Sequence, residues 1–274
     1  MKRVLIQDET SGLKAEVLPD YGGMISTISL KGVDVLRFNP DMVGMANMLS
    51  GGIPVLFPFC SKTENDVYTL VGKEYTMPFH GFVKDMTFSI ERLCQNEVSI
   101  YTVPNEVIIK ENYPFDFKLT LTYKVEGYSL FVKASIKNNC HTDMPYYIGW
   151  HPYFKTSRKE VVDFDFDMKY YRDYISGRQG RQKGKLDLTK TLDHVFWGIG
   201  KREVVLKNPA DRYLARIFLD DKHSVVTVCT LFDDCVCIEP WTGMPNSINT
   251  GKMLNWVKSG TTDFCGFELQ LELL

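Results

Sequence analysis

No stretch of this 274-residue chain approaches the ~20 consecutive apolar residues that a bilayer-spanning helix needs, so a membrane is not an expected partner. A long basic run is missing as well. The 32 Lys and Arg residues against 34 Asp and Glu leave a net charge of -2, which argues against nucleic acid as the main ligand. Behind Met1-Lys2-Arg3 stands only Val4-Leu5-Ile6 before Gln7-Asp8-Glu9, too short for the core of a signal peptide, and a cytoplasmic protein is expected. No disulfide framework is visible: cysteines fall at 60, 94, 140, 229, 235, 237 and 265, an odd set that reads as free thiols. Cys235-Val236-Cys237 places two sulfurs on one strand face, as in a metal or redox pair. No second pair or nearby histidine completes a ligand set, so buried, inert thiols are the expectation. Neither a ligand cluster nor a nucleotide-binding loop is present, and no metal or organic cofactor is expected.

Helical periodicity is scarce, and no glycine-rich linker divides the chain. What fills it instead is alternation. Phe115, Phe117, Leu119, Leu121, Tyr123 and Val125 alternate with Asp116, Lys118, Thr120, Thr122 and Lys124, giving a strand with one wet and one buried face. Glu126-Gly127-Tyr128 turns it into a hairpin partner through Leu130, Val132, Ala134 and Ile136. The same rhythm recurs in short strands from Val4 to Leu36, in a single strand over Val162 to Tyr170 with Asp163, Asp165 and Asp167 outward, and in Cys265 to Leu273. Asp41 to Ser50 is the one segment that reads as a short helix, weakened by Gly44. An aromatic content of 13% fits strands, and residues 1–274 are expected to form one all-β domain, a large antiparallel β-sandwich.

One stretch is neither plain core strand nor solvated loop. Tyr146-Tyr147-Ile148-Gly149-Trp150-His151-Pro152-Tyr153-Phe154 crowds aromatic rings, a glycine and one histidine together, and reads as the wall of a ligand site. Pro152 holds His151 in extended backbone and cannot donate to a ladder, so the imidazole is expected where a strand ends at a cleft. A titratable group among rings suits a ligand with apolar faces and hydroxyls, as a sugar has; the plainer reading is a core histidine bonded to a carbonyl. Gly51 to Phe59, interrupted by Pro54, Pro58 and paired glycines, is expected to bend and bring Ser61 and Lys62 to the mouth. Met77-Pro78-Phe79-His80-Gly81-Phe82 supplies a second histidine among aromatics. Glu239, after Val236-Cys237-Ile238 and before Pro240-Trp241, sits at the end of an apolar strand, where desolvation would strengthen it as a base; a structural ion pair is its other reading. Asp193 and His194 should point to opposite sides of their strand. The glycine-punctuated basic run Ser176 to Lys185 reads as a solvated loop or, with Arg178, Arg181, Lys183 and Lys185, as a phosphate-holding lid.

Taken in order, Gly22-Gly23, Gly51-Gly52-Ile53-Pro54-Val55-Leu56-Phe57-Pro58, Phe79-His80-Gly81-Phe82, Gly149-Trp150-His151-Pro152-Tyr153-Phe154, Leu192-Asp193-His194 and Ile238-Glu239-Pro240-Trp241-Thr242-Gly243 resemble the motif series of the aldose 1-epimerases over essentially the whole length. The resemblance implies a galactose-mutarotase-like supersandwich, with His151 as general acid, Glu239 as general base, and His80 and Asp193 holding sugar hydroxyls. Two departures stand out. Ser61-Lys62 replaces the asparagine-arginine pair of many members, and Trp150 replaces the asparagine common before the acid histidine. Lysine cannot grip two oxygens as a guanidinium does, so Lys62 implies a weaker hydroxyl contact or a different preferred sugar. The implied chemistry opens the ring by removing the C1 hydroxyl proton while protonating the ring oxygen, and closes it on the other face. It requires His151 and Glu239 to meet across one pocket with a hexose-sized gap between them. A free hexose is the expected ligand; a hexose 6-phosphate, if the basic run reaches the cleft, and a non-catalytic sugar binder are the alternatives.

Overall fold

The computed structural model describes residues 1–274 except Ala46, Asn47 and Leu49. Its spine is the expected hairpin. Phe117–Glu126 pairs with Ser129–Asn138 in the register Leu121↔Ala134 and Tyr123↔Val132, and Phe117, Leu119, Leu121, Tyr123 and Val125 are fully buried while the intervening residues meet solvent. Each such side chain contributes roughly 1.5–3 kcal/mol through burial. The hairpin lies within an eight-stranded antiparallel sheet ordered Asp163–Asp165, Glu203–Asn208, Tyr213–Leu219, Thr262–Leu273, Ser129–Asn138, Phe117–Glu126, Glu97–Thr102 and Ser89–Leu93.

A second sheet carries the site. Its order is Gln179–Arg181, Met168–Asp173, Asp193–Ile199, Val225–Cys229, Cys235–Trp241, Gly149–Trp150 and Val55–Leu56, with Tyr153–Lys155 pairing Cys235–Trp241 further along. Trp150 joins the two sheets. Fully buried, its ring lies 5.4 Å from Phe267 of the first sheet and 5.7 Å from His223. Val4–Asp8, Leu13–Leu18, Met24–Leu30 and Val33–Asp34 form a four-stranded sheet, tied to the hairpin where the Tyr123 hydroxyl donates to the Gly23 carbonyl at 2.8 Å. The architecture is the antiparallel β-sandwich that the period-two pattern implies.

Three local expectations need correction. Val162 to Tyr170 is not one strand: Asp163–Asp165 joins the first sheet and Met168–Asp173 the second, with Phe166 and Asp167 making the crossing. Of the helix expected over Asp41 to Ser50, the described residues at its start form a 3-10 turn, Pro40–Met42, capped by Asn39; Ala46, Asn47 and Leu49 lie outside the described residues. The basic run is a solvated loop only in part, because Gln179–Arg181 within it pairs along Met168–Asp173 as an edge strand. Among the described residues no helix is long and apolar enough to cross a membrane.

Candidate active site

Strand register assembles one face of the second sheet into a wall. Asp193 pairs with Cys229, Cys229 with Cys237, and Cys237 with Tyr153; in the next row on the same face Val195 pairs with Thr227 and Thr227 with Glu239. Side chains directly opposed in this way stand about 4.5–5.5 Å apart at Cβ. Asp193, Val195, Thr227, Cys229, Glu239, Trp241 and Tyr153 therefore converge on one open cleft of about 1250 Å³. The segment before Val67–Leu70 contributes the opposite rim with Ser61, Lys62 and Thr63, and Phe79-His80 closes one end.

His151 arrives where Gly149–Trp150 ends, its backbone N–H donating to Pro54 at 3.0 Å. The alternation that buries Trp150 between the sheets turns His151 toward the cleft, so the tryptophan in place of the family's asparagine is a core residue and does not line the cleft. Gly149 is needed opposite Trp241, since a Cβ there would lie 2.3 Å from the indole Cδ1. The Tyr153 ring stacks on the imidazole at 4.4 Å and 17°. His151 Nε2 then lies 3.2 Å from Glu239 Oε1. The expected hexose-sized gap is thus absent: the two side chains expected to act as acid and base touch. Contact is compatible with ring opening, because the ring oxygen, which would take up a proton, and the anomeric hydroxyl, which would give one up, are bonded to the same carbon.

Burial sets the electrostatics of this pair. It lowers the His151 pKa to about 3, and it pushes the Glu239 carboxyl well above the ordinary carboxylate range, with the negative potential of Cys229 and Asp193 acting in the same direction. Both shifts act in the same direction and favour the proton that the pair shares resting on Glu239, facing a neutral imidazole. Trp241 Nε1 is near enough to Glu239 to favour its anion but completes no hydrogen bond, and Glu239 Oε2, Thr227 Oγ1, Thr63 Oγ1 and His151 Nδ1 are likewise buried without partners. Buried polar atoms rarely go unpaired in a native protein, so this cluster marks where ligand hydroxyls or water belong.

His80 is held firmly. Its backbone N–H donates to Ser61 O at 2.9 Å and its Nδ1 accepts from Ser61 N at 3.0 Å, which leaves the proton of the neutral ring on Nε2. Burial, then the neighbouring His151, depresses its pKa well below the usual value and keeps it neutral. The residue sits in the left-handed region at φ 63, and Gly81 follows at φ 74 with no room for a Cβ, which would fall 2.1 Å from Phe57 O. Strain of this kind collects at functional sites. Asp193 is half-buried, its pKa raised by burial and by Asp173. His194 points the other way, its ring stacked on Tyr171 at 5.1 Å, as alternation requires. Lys62 is exposed at the rim, its Nζ 5.5 Å from the Phe79 ring centroid.

All five residues singled out from the sequence, Lys62, His80, His151, Asp193 and Glu239, line this one cleft. The basic run does not. None of Arg178, Arg181, Lys183 and Lys185 lines it; Lys185 pairs with Asp163 at 2.5 Å, and Arg181 lies over the Tyr170 ring. Arg172, Tyr174, Thr227, Cys229 and Trp241 line the cleft and were not picked out, because only sheet register reveals their position.

A two-sheet antiparallel sandwich with a polar cleft on one sheet face is a galactose-mutarotase-like architecture. The chain belongs to the aldose 1-epimerase family, whose model matches residues 2–247. It is 24% identical over 236 residues to the plasmid-borne protein LacX of Lactococcus lactis subsp. lactis, covering 75% of this chain and 78% of that one. The crystal structure of the Slr1438 protein from Synechocystis sp. PCC 6803 superposes with a TM-score of 0.93 at 25% identity, covering 100% of this chain and 96% of that one. A galactose mutarotase related enzyme from Lactobacillus acidophilus superposes with a TM-score of 0.83 at 22% identity, covering 99% and 97%.

Proposed function

We propose that the protein is an aldose 1-epimerase that interconverts the α and β anomers of a free hexose, with residues 1–274 acting as one unit. The observation that carries this reading is the 3.2 Å contact between His151 and Glu239 inside a cleft lined by unpartnered polar atoms. A sugar entering the cleft brings hydroxyls that donate to the Glu239 oxygens and, with Trp241, favour its anion; the shared proton then moves to His151. From there it passes to the ring oxygen while Glu239 takes the C1 hydroxyl proton. The C1–O5 bond breaks, the aldehyde rotates, and the same transfers run in reverse on its other face. The pair recovers its proton in each cycle, so no net acid or base is consumed.

His80 Nε2 and the Asp193 carboxyl hold sugar hydroxyls on either side of the pair, while Thr227 and Trp241 supply two more contacts from the floor. Lys62 offers one weak rim contact. Stacking by Tyr153 keeps the His151 ring at a fixed tilt, which matters because misplacement by about 1 Å can cost on the order of 100-fold in rate.

The test is polarimetry on freshly dissolved α-glucose and α-galactose, with the uncatalysed rate subtracted. Wild type should accelerate the approach to the equilibrium rotation, and Glu239→Gln and His151→Asn should not. A sugar binder without catalytic activity would leave the wild-type rate at the spontaneous value while still showing saturable binding. A second reading, a hexose 6-phosphate as substrate, rests on Arg172 and Lys62, the cations that line the cleft in place of the basic run. Glucose 6-phosphate binding no tighter than glucose would dismiss it.

A further inference from the structure

The cleft wall contains a group that ring opening does not use. Cys229 lines the cleft at 6% exposure, and in the antiparallel ladder it stands directly opposite Cys237, which is fully buried. Opposed residues of an antiparallel pair have Cα atoms about 4.5–5.5 Å apart, inside the range that a disulfide spans. Cys229, Cys235, Cys237 and Tyr153 form a small buried cluster separate from the main core, with Phe232 against it. The facing Cys237 thiol, with the Leu231 backbone N–H and the Lys159 ammonium, lowers the Cys229 pKa against the opposing effect of burial. That ammonium is fixed nearby, donating to the Thr230 carbonyl at 3.0 Å. A thiol of this kind, on the cleft wall, with its pKa lowered and a second thiol directly behind it, differs from the inert buried cysteine expected for this strand.

We propose that Cys229 and Cys237 form a peroxide-responsive dithiol site in the wall of the cleft, with Cys229 the attacking and Cys237 the resolving cysteine. The Cys229 thiolate attacks one oxygen of hydrogen peroxide or a small alkyl hydroperoxide. An S–O bond forms, the O–O bond breaks, and hydroxide or alkoxide leaves with a proton from solvent. Cys237 then attacks the Cys229 sulfur; the S–S bond forms, the S–O bond breaks, and the departing hydroxide takes the Cys237 proton as water. The two thiols lose two electrons and the peroxide gains them. Cys237 is register partner of Tyr153, whose ring stacks on His151, and Cys229 is near enough to Glu239 to raise its pKa. Closing the bridge draws the Cys229 side chain off the cleft wall and shifts the support behind His151. A small reductant such as dithiothreitol reverses it. The chemical step stands without the proposed function; only its effect on anomer interconversion rests on that reading.

The full-length protein, in its native state, is treated with hydrogen peroxide, alkylated and mapped by peptide mass spectrometry, with polarimetry on matched samples. The expected product is a Cys229–Cys237 cross-link, two hydrogens lighter, that dithiothreitol reopens. Cys237→Ala should halt the reaction at a Cys229 sulfenic acid that dimedone captures. Mutarotation should fall on the order of ten- to a hundred-fold on bridging and return on reduction, each protein being compared with its own untreated rate. Cys229→Ser should show no such peroxide-dependent loss. Oxidation confined to the exposed Cys94 and the half-buried Cys140 while Cys229 stays alkylatable would overturn the site, and a bridge from Cys229 to Cys235 would overturn the choice of partner. A bridge that forms without changing the rate would overturn the control role. Should reduced wild type show a bridge-forming site but no mutarotation at all, the proposed function fails and the dithiol site stands.

Discussion

Removing both halves of the His151–Glu239 pair at once asks whether they work as one device. Glu239→Gln and His151→Asn each keep shape and some hydrogen bonding while ending proton transfer. A positioned acid or base typically contributes about 10²–10⁴-fold, so two independent groups would give losses multiplying to about 10⁴–10⁸-fold. The 3.2 Å contact predicts a different result. With one proton serving both groups, loss of either strands the other, and the double variant should fall within about threefold of the slower single variant. Polarimetry of α-glucose reads all four proteins, and near-ultraviolet circular dichroism checks that each keeps its fold. Losses that multiply, or a single variant within about threefold of wild type, would refute the shared-proton scheme.

The other predictions follow from the same geometry. Because burial lowers the His151 pKa to about 3, the acid limb of the rate profile should lie far below the usual histidine value of 6.5; a limb near 6.5 would contradict the burial argument. The same depression implies stability that is present above pH 6.5 and lost as pH falls through about 3, so His151→Asn should flatten the acid dependence of urea midpoints, by up to about 5 kcal/mol at the acid extreme. Gly81→Ala, at φ 74 with its Cβ 2.1 Å from Phe57 O, should destabilise the fold by more than about 2 kcal/mol in chemical denaturation and weaken sugar binding by moving His80. Arg172→Ala should leave glucose turnover within about twofold, since an exposed cation adds little to a neutral ligand; a selective loss with glucose 6-phosphate, read by the same polarimetry, would favour the phosphorylated substrate.

What could be read from residues alone divides along the line between local and non-local physics. The Phe117–Glu126 and Ser129–Asn138 hairpin was legible because burial on one face imposes a period of two, and its turn fixes the register. The placement of His151 followed from Pro152, and the bend that carries Lys62 to the rim from Pro54 and Pro58, because proline restricts the chain wherever it occurs. Phe166 and Asp167 gave no such signal: their alternation continues unbroken while the chain passes from one sheet to the other. Nor did the basic run announce an edge strand, since main-chain pairing at Gln179–Arg181 makes little demand on side chains. Sheet order was the missing quantity. It decides that Thr227 faces Glu239 and that Cys229 faces Cys237, pairings set by contacts far apart in sequence. The same order accounts for Trp150. Read along the chain, it stands in a ligand motif beside the candidate acid; read across the sandwich, it fills the space above Phe267, so this departure from the family pattern is a packing change behind the site. Any shift in sugar preference must therefore come from residues on the cleft itself, Lys62 first among them.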